Sequence, residues 1–333
     1  MSEFRTLLPQ PQKAAFSISH LDETLCMGSC FATHIGAWLQ ALKFPCLLNP
    51  FGILYNPVSI GKNLQRVLFP QPYTPENLVL RDELWHSFDH HGAFSHPDLL
   101  ETVANINTRL QEAASFAQHT NRLILTPGTA RVYTFKKTGE VVANCHKFPA
   151  AEFEHRRLGV GEVVAALAAP IEQWKAARPE LEIILTISPV RHIRDGIIEN
   201  QRSKATLVLA LEELCRQFPF VHYFPAYELL LDDLRDYRFY EADMIHPNEQ
   251  AIQYIRDYFA ATFFSDATLE LNRRITKIIS AARHRPLHPD TPAHQRFVKQ
   301  QLAAIAALEE EFPFLKFDQE LFGGSGDEVE GRA

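Results

Sequence analysis

Thr24-Leu25-Cys26-Met27-Gly28-Ser29-Cys30-Phe31-Ala32 joins a short apolar run to a glycine and a serine, and Thr33 to Leu42 then reads as a helix. The order is that of a strand delivering its carboxyl end to a helix start. Similar apolar runs recur at Arg122 to Thr126 (RLILT), Glu182 to Ile187 (EIILTI) and Phe220 to Phe224 (FVHYF). The stretch after EIILTI carries Leu207, Leu211 and Leu214 at helical spacing, and the stretch after FVHYF carries Ile252, Ile255, Phe259 and Phe263. Strands alternating with amphipathic helices predict a doubly wound α/β core, a parallel sheet with flanking helices.

The remaining text organises around that core. Residues 60–120 are polar, aromatic and rich in His and Pro, and read as an insertion over the sheet, suited to a covering lid. The core domain therefore spans 1–265. Helical patterns at Leu269 to Ala282 and Ala293 to Leu308 form a C-terminal extension over 266–320, and the Gly- and acid-rich end, 321–333, reads as a disordered tail. With 333 residues, 46% of them hydrophobic, the chain can bury a sizeable core. Its net charge of -7, with no basic block, argues against nucleic acid as a partner. Five cysteines without a C-x-x-C pair suggest free thiols rather than a disulfide framework or zinc ribbon. No apolar leader and no membrane-spanning run is evident, so the expectation is a soluble cytoplasmic protein with no membrane partner.

Two short motifs carry chemistry. Ser29 stands where free backbone N–H groups and the positive end of a helix dipole would stabilise an oxyanion, although the same position suits a plain N-cap. Asp243-Met244-Ile245-His246-Pro247-Asn248 follows the last strand and precedes a helix, with Pro247 suited to its first turn. A carboxylate three residues before a histidine can bond one ring nitrogen and leave the other facing a nucleophile, or can simply form a surface turn. Cys30, also at the helix start, is a rival nucleophile or a small buried hydrophobe. His86, Asp89, His90, His91 and His96 offer ligand types for zinc or iron, yet their irregular spacing reads better as a polar loop, so no metal and no cofactor is expected.

Together the two motifs resemble the first and last blocks of the SGNH (GDSL-like) hydrolase superfamily. More closely, Gly28-Ser29-Cys30-Phe31-Ala32 spells the signature of the GSCFA family. Further segments are similar: Asn49-Pro50-Phe51-Gly52, Leu125 to Tyr133, Asn144-Cys145-His146-Lys147, Ser188-Pro189-Val190-Arg191-His192, Asp236 to Tyr240 and Asp243 to His246. The resemblance covers about residues 20 to 265 and implies an SGNH-like fold with a triad: Ser29 as nucleophile, His246 as base, Asp243 as its orienting partner. It also implies an oxyanion hole with Gly52 as the glycine donor. The usual Gly-x-Asn-Asp is missing, which leaves the asparagine's place vacant or filled by Thr129, Asn144 or His146. Gly52 and Gly128 also suit plain turns. Arg191 and His192 stand where a polar or anionic substrate would be met, or anchor their loop. The implied activity is an esterase or acyl hydrolase, deacetylase-like, acting on a small-molecule or carbohydrate ester. An acyltransferase with the same triad, a non-catalytic binding protein on the same fold, and a metal enzyme built on the histidines at 86–96 are the alternatives.

Overall fold

The strands near the chain's start, middle and end are apolar at successive positions rather than alternate ones, which is what burial on both faces of a parallel sheet demands. A computed structural model describes residues 6–283 and 291–317. In it β1 (Glu23–Gly28) runs into α1 (Cys30–Ala41), followed by β2 (Cys46–Leu48), α2 (Pro57–Leu68), the hairpin β3 (Leu78–Arg81) and β4 (Leu84–Ser87), and α3 (Leu99–Ala117). Next come β5 (Thr120–Thr126), β6 (Arg131–Phe135), β7 (Glu140–Val142), β8 (Phe153–Arg157), α4 (Val160–Ala177), β9 (Glu182–Thr186), α5 (Ile197–Gln217) and β10 (Val221–Phe224). The last elements are α6 (Ala226–Glu228), α7 (Glu249–Phe263), α8 (Asp266–Arg283) and α9 (Pro292–Glu311).

The central sheet has five strands in the order β10-β9-β5-β1-β2, every pairing parallel. Alternate strand residues feed two cores. Leu25, Met27, Leu123, Leu125, Ile183 and Leu185 pack with Ile60 and Leu64 of α2, Ile106 and Leu110 of α3, Val163 and Leu167 of α4, and Leu207 and Leu211 of α5. Cys26, Ile124, Ile184 and Phe224 pack on the other face with Phe31 and Ile35 of α1 and Ile255 and Phe259 of α7. The expected α/β architecture with helices on both faces is thus present. Strand order reverses between β1 and β5, the switch point outside which open α/β sheets bind ligands at the strands' carboxyl ends.

One expectation needs correction. The stretch 60–120 is not wholly an insertion, because the apolar faces of α2 and α3 belong to the core and make the crossover from β2 to β5; only the β3–β4 hairpin and its flanking loops are additional. An insertion that sequence reading did not expect lies at 131–157, where β6, β7 and β8 form a three-stranded antiparallel sheet in the order β7-β6-β8. The C-terminal extension is docked on the domain: Leu271, Ile275, Ile278, Ile305, Leu308, Leu315 and Phe317 join the core that holds Phe44 and Phe264. The proposed tail at 321–333 lies outside the described residues. All five cysteines are free, and among the described residues no helix is long and apolar enough to cross a membrane.

Candidate active site

The β1–α1 junction is shaped by Gly28. Its φ is +148°, and a Cβ there would lie 2.3 Å from the Thr126 carbonyl oxygen, so only glycine lets β1 end this close to β5. Asn49 clamps the turn from the next loop, its Oδ1 accepting from Gly28 N–H at 2.9 Å and its amide donating to Thr33 Oγ1 at 3.1 Å. Ser29 is the N-cap of α1: its Oγ accepts from Phe31 N–H at 3.2 Å, and its own N–H donates to the Thr126 carbonyl at 3.0 Å. It is 0% exposed. The N-cap alternative therefore describes Ser29 as it stands, and the described contacts place no histidine on its hydroxyl.

Cys30 occupies the first helical position and is only partly buried. Burial pushes its thiol up, while the N–H groups of Phe31 and Cys30 and the nearby Lys204 ammonium pull it down. Lys204 went unnoticed in the sequence. It is fully buried, donates to the Ser188 carbonyl at 2.6 Å, and desolvation pushes it down to about 7, partly opposed by Cys30. The signal was available, since Asn200, Ser203, Lys204, Leu207 and Leu211 share the buried stripe of α5.

Asp243 and His246 meet as expected, with His246 Nδ1 and Asp243 Oδ2 2.6 Å apart. Asp243 Oδ1 also accepts from the N–H groups of Ile245 at 2.8 Å and His246 at 3.0 Å. The carboxyl is held down to about 2 by its bond to the His246 ring first and by these N–H groups next. The helix behind the pair opens with Asn248 rather than Pro247, whose side chain accepts from Ala251 N–H as the N-cap of α7. The loop of the pair meets the segment after β9, where the Ile245 carbonyl accepts from Arg191 N–H at 3.4 Å, and α7 behind it meets α1 through Arg256, which donates to the His34 carbonyl at 3.3 Å. His34 lies one turn beyond Cys30 on the same face of α1, so the pair stands at the carboxyl edge that holds the start of α1.

Arg191 serves this loop rather than an open surface. Its N–H donates to the Ile245 carbonyl at 3.4 Å, and its guanidinium lies over the rings of Tyr240 at 4.5 Å and Tyr237 at 5.2 Å. His192 packs against Gly128, where a Cβ would meet its Nε2 at 2.5 Å, and edge-on to Tyr55 at 5.1 Å. That Nε2 is buried without a protein partner, and desolvation pushes the ring down to about 3, so it is neutral near pH 7.

The expected oxyanion donors each have a local partner. Gly52 N–H is engaged by the Asn49 carbonyl at 2.8 Å within a turn. Thr129 Oγ1 pairs with Ser203 Oγ of α5 at 2.9 Å. Asn144 Oδ1 accepts from His146 N–H at 2.9 Å. His146 stacks on His86 at 4.5 Å, bonds the Ser87 carbonyl at 2.8 Å, and is pushed down to about 4 by burial. The histidines of 86–96 likewise have local partners: His86 bonds Ser95 Oγ at 2.6 Å, His90 bonds Ser87 Oγ at 2.8 Å among Phe51, Tyr73 and Phe94, and Asp89 pairs with Lys62 at 2.9 Å. Among the described residues no group of three or more His, Cys, Asp or Glu is arranged to hold a metal ion.

Comparison with curated proteins and with solved structures finds no match to either. A model of the C-terminal domain of GSCFA domain proteins matches residues 275–322, the region of α8 and α9. The GSCFA family model matches residues 23–259, from β1 through the Asp243–His246 pair into α7, and the chain belongs to that family.

Proposed function

We propose that this chain is an acyl hydrolase on an SGNH-like fold, working through a covalent intermediate formed at the start of α1, with His246 as proton carrier and Asp243 as its orienting partner. The observation that carries the reading is the 2.6 Å contact of Asp243 with His246 Nδ1, which fixes the ring tautomer and leaves Nε2 free on the carboxyl edge of the sheet. The nucleophile we assign is Cys30 in place of the expected Ser29. Ser29 is sealed and its hydroxyl caps the helix, whereas Cys30 is a partly exposed residue that opens α1 at its positive end with Lys204 nearby; burial holds its thiol above the ordinary value, so the scheme needs His246 to take the proton.

In this scheme His246 Nε2 takes the thiol proton and Cys30 Sγ bonds to the ester carbonyl carbon. The oxyanion is held by the Cys30 backbone N–H at the positive end of α1, the N–H groups of Phe31 and Ala32 being taken by the Ser29 hydroxyl and carbonyl. Collapse breaks the C–O bond, and the departing alcohol takes the proton back from His246. Water, giving its proton to His246, then attacks the thioester and restores the thiol. Replacing that water by an alcohol turns the same steps into acyl transfer. A small-molecule or carbohydrate ester is the proposed substrate, and free thiols fit a reducing, cytoplasmic setting.

The test is labelling of the purified chain with iodoacetamide and with a fluorophosphonate, alongside ester hydrolysis. We expect iodoacetamide to modify Cys30 and stop turnover, and Cys30→Ala to abolish activity. Ser29→Ala should remain active while losing about 1 kcal/mol of stability as an N-cap deletion. Fluorophosphonate on Ser29, with activity lost in Ser29→Ala and kept in Cys30→Ala, returns the role to Ser29. No turnover of any ester by a folded, unlabelled protein points to a binding role for the fold.

A further inference from the structure

Between the 53–55 segment and the antiparallel β7-β6-β8 sheet lies a cavity of about 450 Å³, within the range of small-molecule sites. Its walls include Tyr55, Tyr133, Phe148 and Phe153, and its cationic lining residues are Lys147 and Arg194. Tyr55 belongs to both places: it lines the cavity, and its ring meets His192 edge-on while Cys30 influences its hydroxyl. The cavity therefore adjoins the proposed catalytic edge.

The charge arrangement is one-sided. No lining residue is acidic, in a chain of net charge -7. Among the described residues neither Lys147 nor Arg194 forms a salt bridge, and the carboxylates close by are already engaged. Asp195 pairs with Arg131 at 3.0 Å, and Glu199 pairs with Arg131 at 2.9 Å and Arg202 at 2.6 Å. Arg194 instead lies over the Tyr133 ring at 5.6 Å, and that ring is stacked on His155 at 4.1 Å, so the guanidinium is supported from behind. Lys147 follows His146 in two successive left-handed residues, φ 45° and 58°, with His146 anchored by Ser87 and Asn144. Asn144 lines the cavity too, and its one described side-chain bond uses the oxygen.

We infer that this cavity binds an anionic group carried on an aromatic or alkyl part of the substrate, with Arg194 and Lys147 receiving a carboxylate, sulfate or phosphate and the four aromatic rings receiving the carbon skeleton. Guanidinium and ammonium donors at one end of an aromatic pocket select a charged ester over a neutral one. The inference rests on the hydrolase reading only for the word substrate; binding of the anion is a separate property.

Two measurements separate them. The first compares kcat/KM for neutral 4-nitrophenyl acetate, for 4-nitrophenyl hemisuccinate with its anion on the acyl side, and for 4-acetoxybenzoate with its anion on the leaving side. We expect at least one anionic ester to be preferred by about tenfold or more at low ionic strength, and the preferred arm identifies which half of the ester enters the cavity. In Arg194→Gln/Lys147→Gln the anionic-to-neutral ratio should fall toward one, and in Arg194→Glu it should fall below one. The second measurement is calorimetric titration of Cys30→Ala with 4-hydroxybenzoate and with its neutral methyl ester. Binding of the carboxylate alone, weakened by salt and lost in the double variant, supports the pocket even if no ester is hydrolysed. Equal turnover of all three esters, unchanged in the double variant and with no carboxylate binding, overturns the pocket while the hydrolase stands.

Discussion

His246 moves the proton in the proposed chemistry, whereas Asp243 only holds and stabilises the ring. His246→Ala should therefore cost at least as much as Asp243→Ala, with losses on the order of 10⁴ in kcat, and the double variant should be no slower than His246→Ala. Asp243, held down to about 2, stays charged across the working range, so the rise of kcat/KM with pH should follow one ionisation and vanish in His246→Ala. An unchanged profile in that variant removes His246 from the mechanism. Arg191 invites a second test, because its guanidinium braces Tyr237 and Tyr240 of the His246 loop. Arg191→Ala should lower kcat for neutral and anionic esters alike, by about tenfold or more through misplacement of the imidazole. A loss confined to KM for anionic esters shows instead that Arg191 touches substrate. Sequence located the Asp243–His246 pair because both partners lie three residues apart in one turn. The family resemblance placed Ser29 ahead of Cys30 as nucleophile, but which of two adjacent side chains caps the helix and which is the more exposed is set by the angle at which β1 enters α1.

That angle belongs to the β1–α1 element and turns on Gly28. Gly28→Ala adds a Cβ 2.3 Å from backbone that cannot swing aside and forces a side-chain residue into φ +148°. We expect a loss of about 2 kcal/mol or more, read from the urea midpoint. Gly128→Ala differs in kind, because its Cβ meets a movable imidazole, His192 Nε2, at 2.5 Å. It should disturb activity more than stability, and equal stability losses in the two variants would show that β1 can shift away from β5. The same contrast between local and distant partners explains what was legible among the elements. β1, β5, β9 and β10 announced themselves as apolar runs, and α1, α5 and α7 by helical spacing. Within 60–120 the apolar stripes of α2 and α3 were hidden by the polar hairpin text between them, although Ile60, Leu64, Ile106 and Leu110 carry the same spacing. The β6–β8 sheet escaped notice because its pairings join residues such as Arg131 and Arg157 across a long loop, and no local pattern encodes that register.

Across the whole molecule, buried bases dominate the response to pH. Desolvation pushes His90 to about 3, His192 to about 3 and His146 to about 4, against an ordinary value of 6.5. A base with a lowered folded pKa adds stability above its unfolded value and loses it as pH falls toward the folded one, because only the unfolded chain takes the proton. Between roughly pH 6 and 4.5 these three groups should together remove up to about 4 kcal/mol per pH unit. Lys204 continues the trend upward: lowered to about 7 from 10.5, it adds stability as pH rises from 7 toward 10.5, at up to about 1.4 kcal/mol per unit. The thiols oppose it. Burial raises Cys145 and Cys215 to about 11 from 9.0, so above roughly pH 9 the unfolded chain ionises first and stability falls. Denaturant titrations from pH 4 to 10 should therefore show a steep acid limb, a gentle rise above pH 7 and a maximum near pH 8 to 9. Lys204→Met should flatten the rise above pH 7 and leave the acid limb intact, because the limb belongs to the histidines. A maximum below pH 6 would show that the histidines are solvated in the folded chain, and a Lys204→Met curve parallel to that of the parent chain above pH 7 would show that Lys204 keeps its ordinary value and stays a charged ammonium throughout.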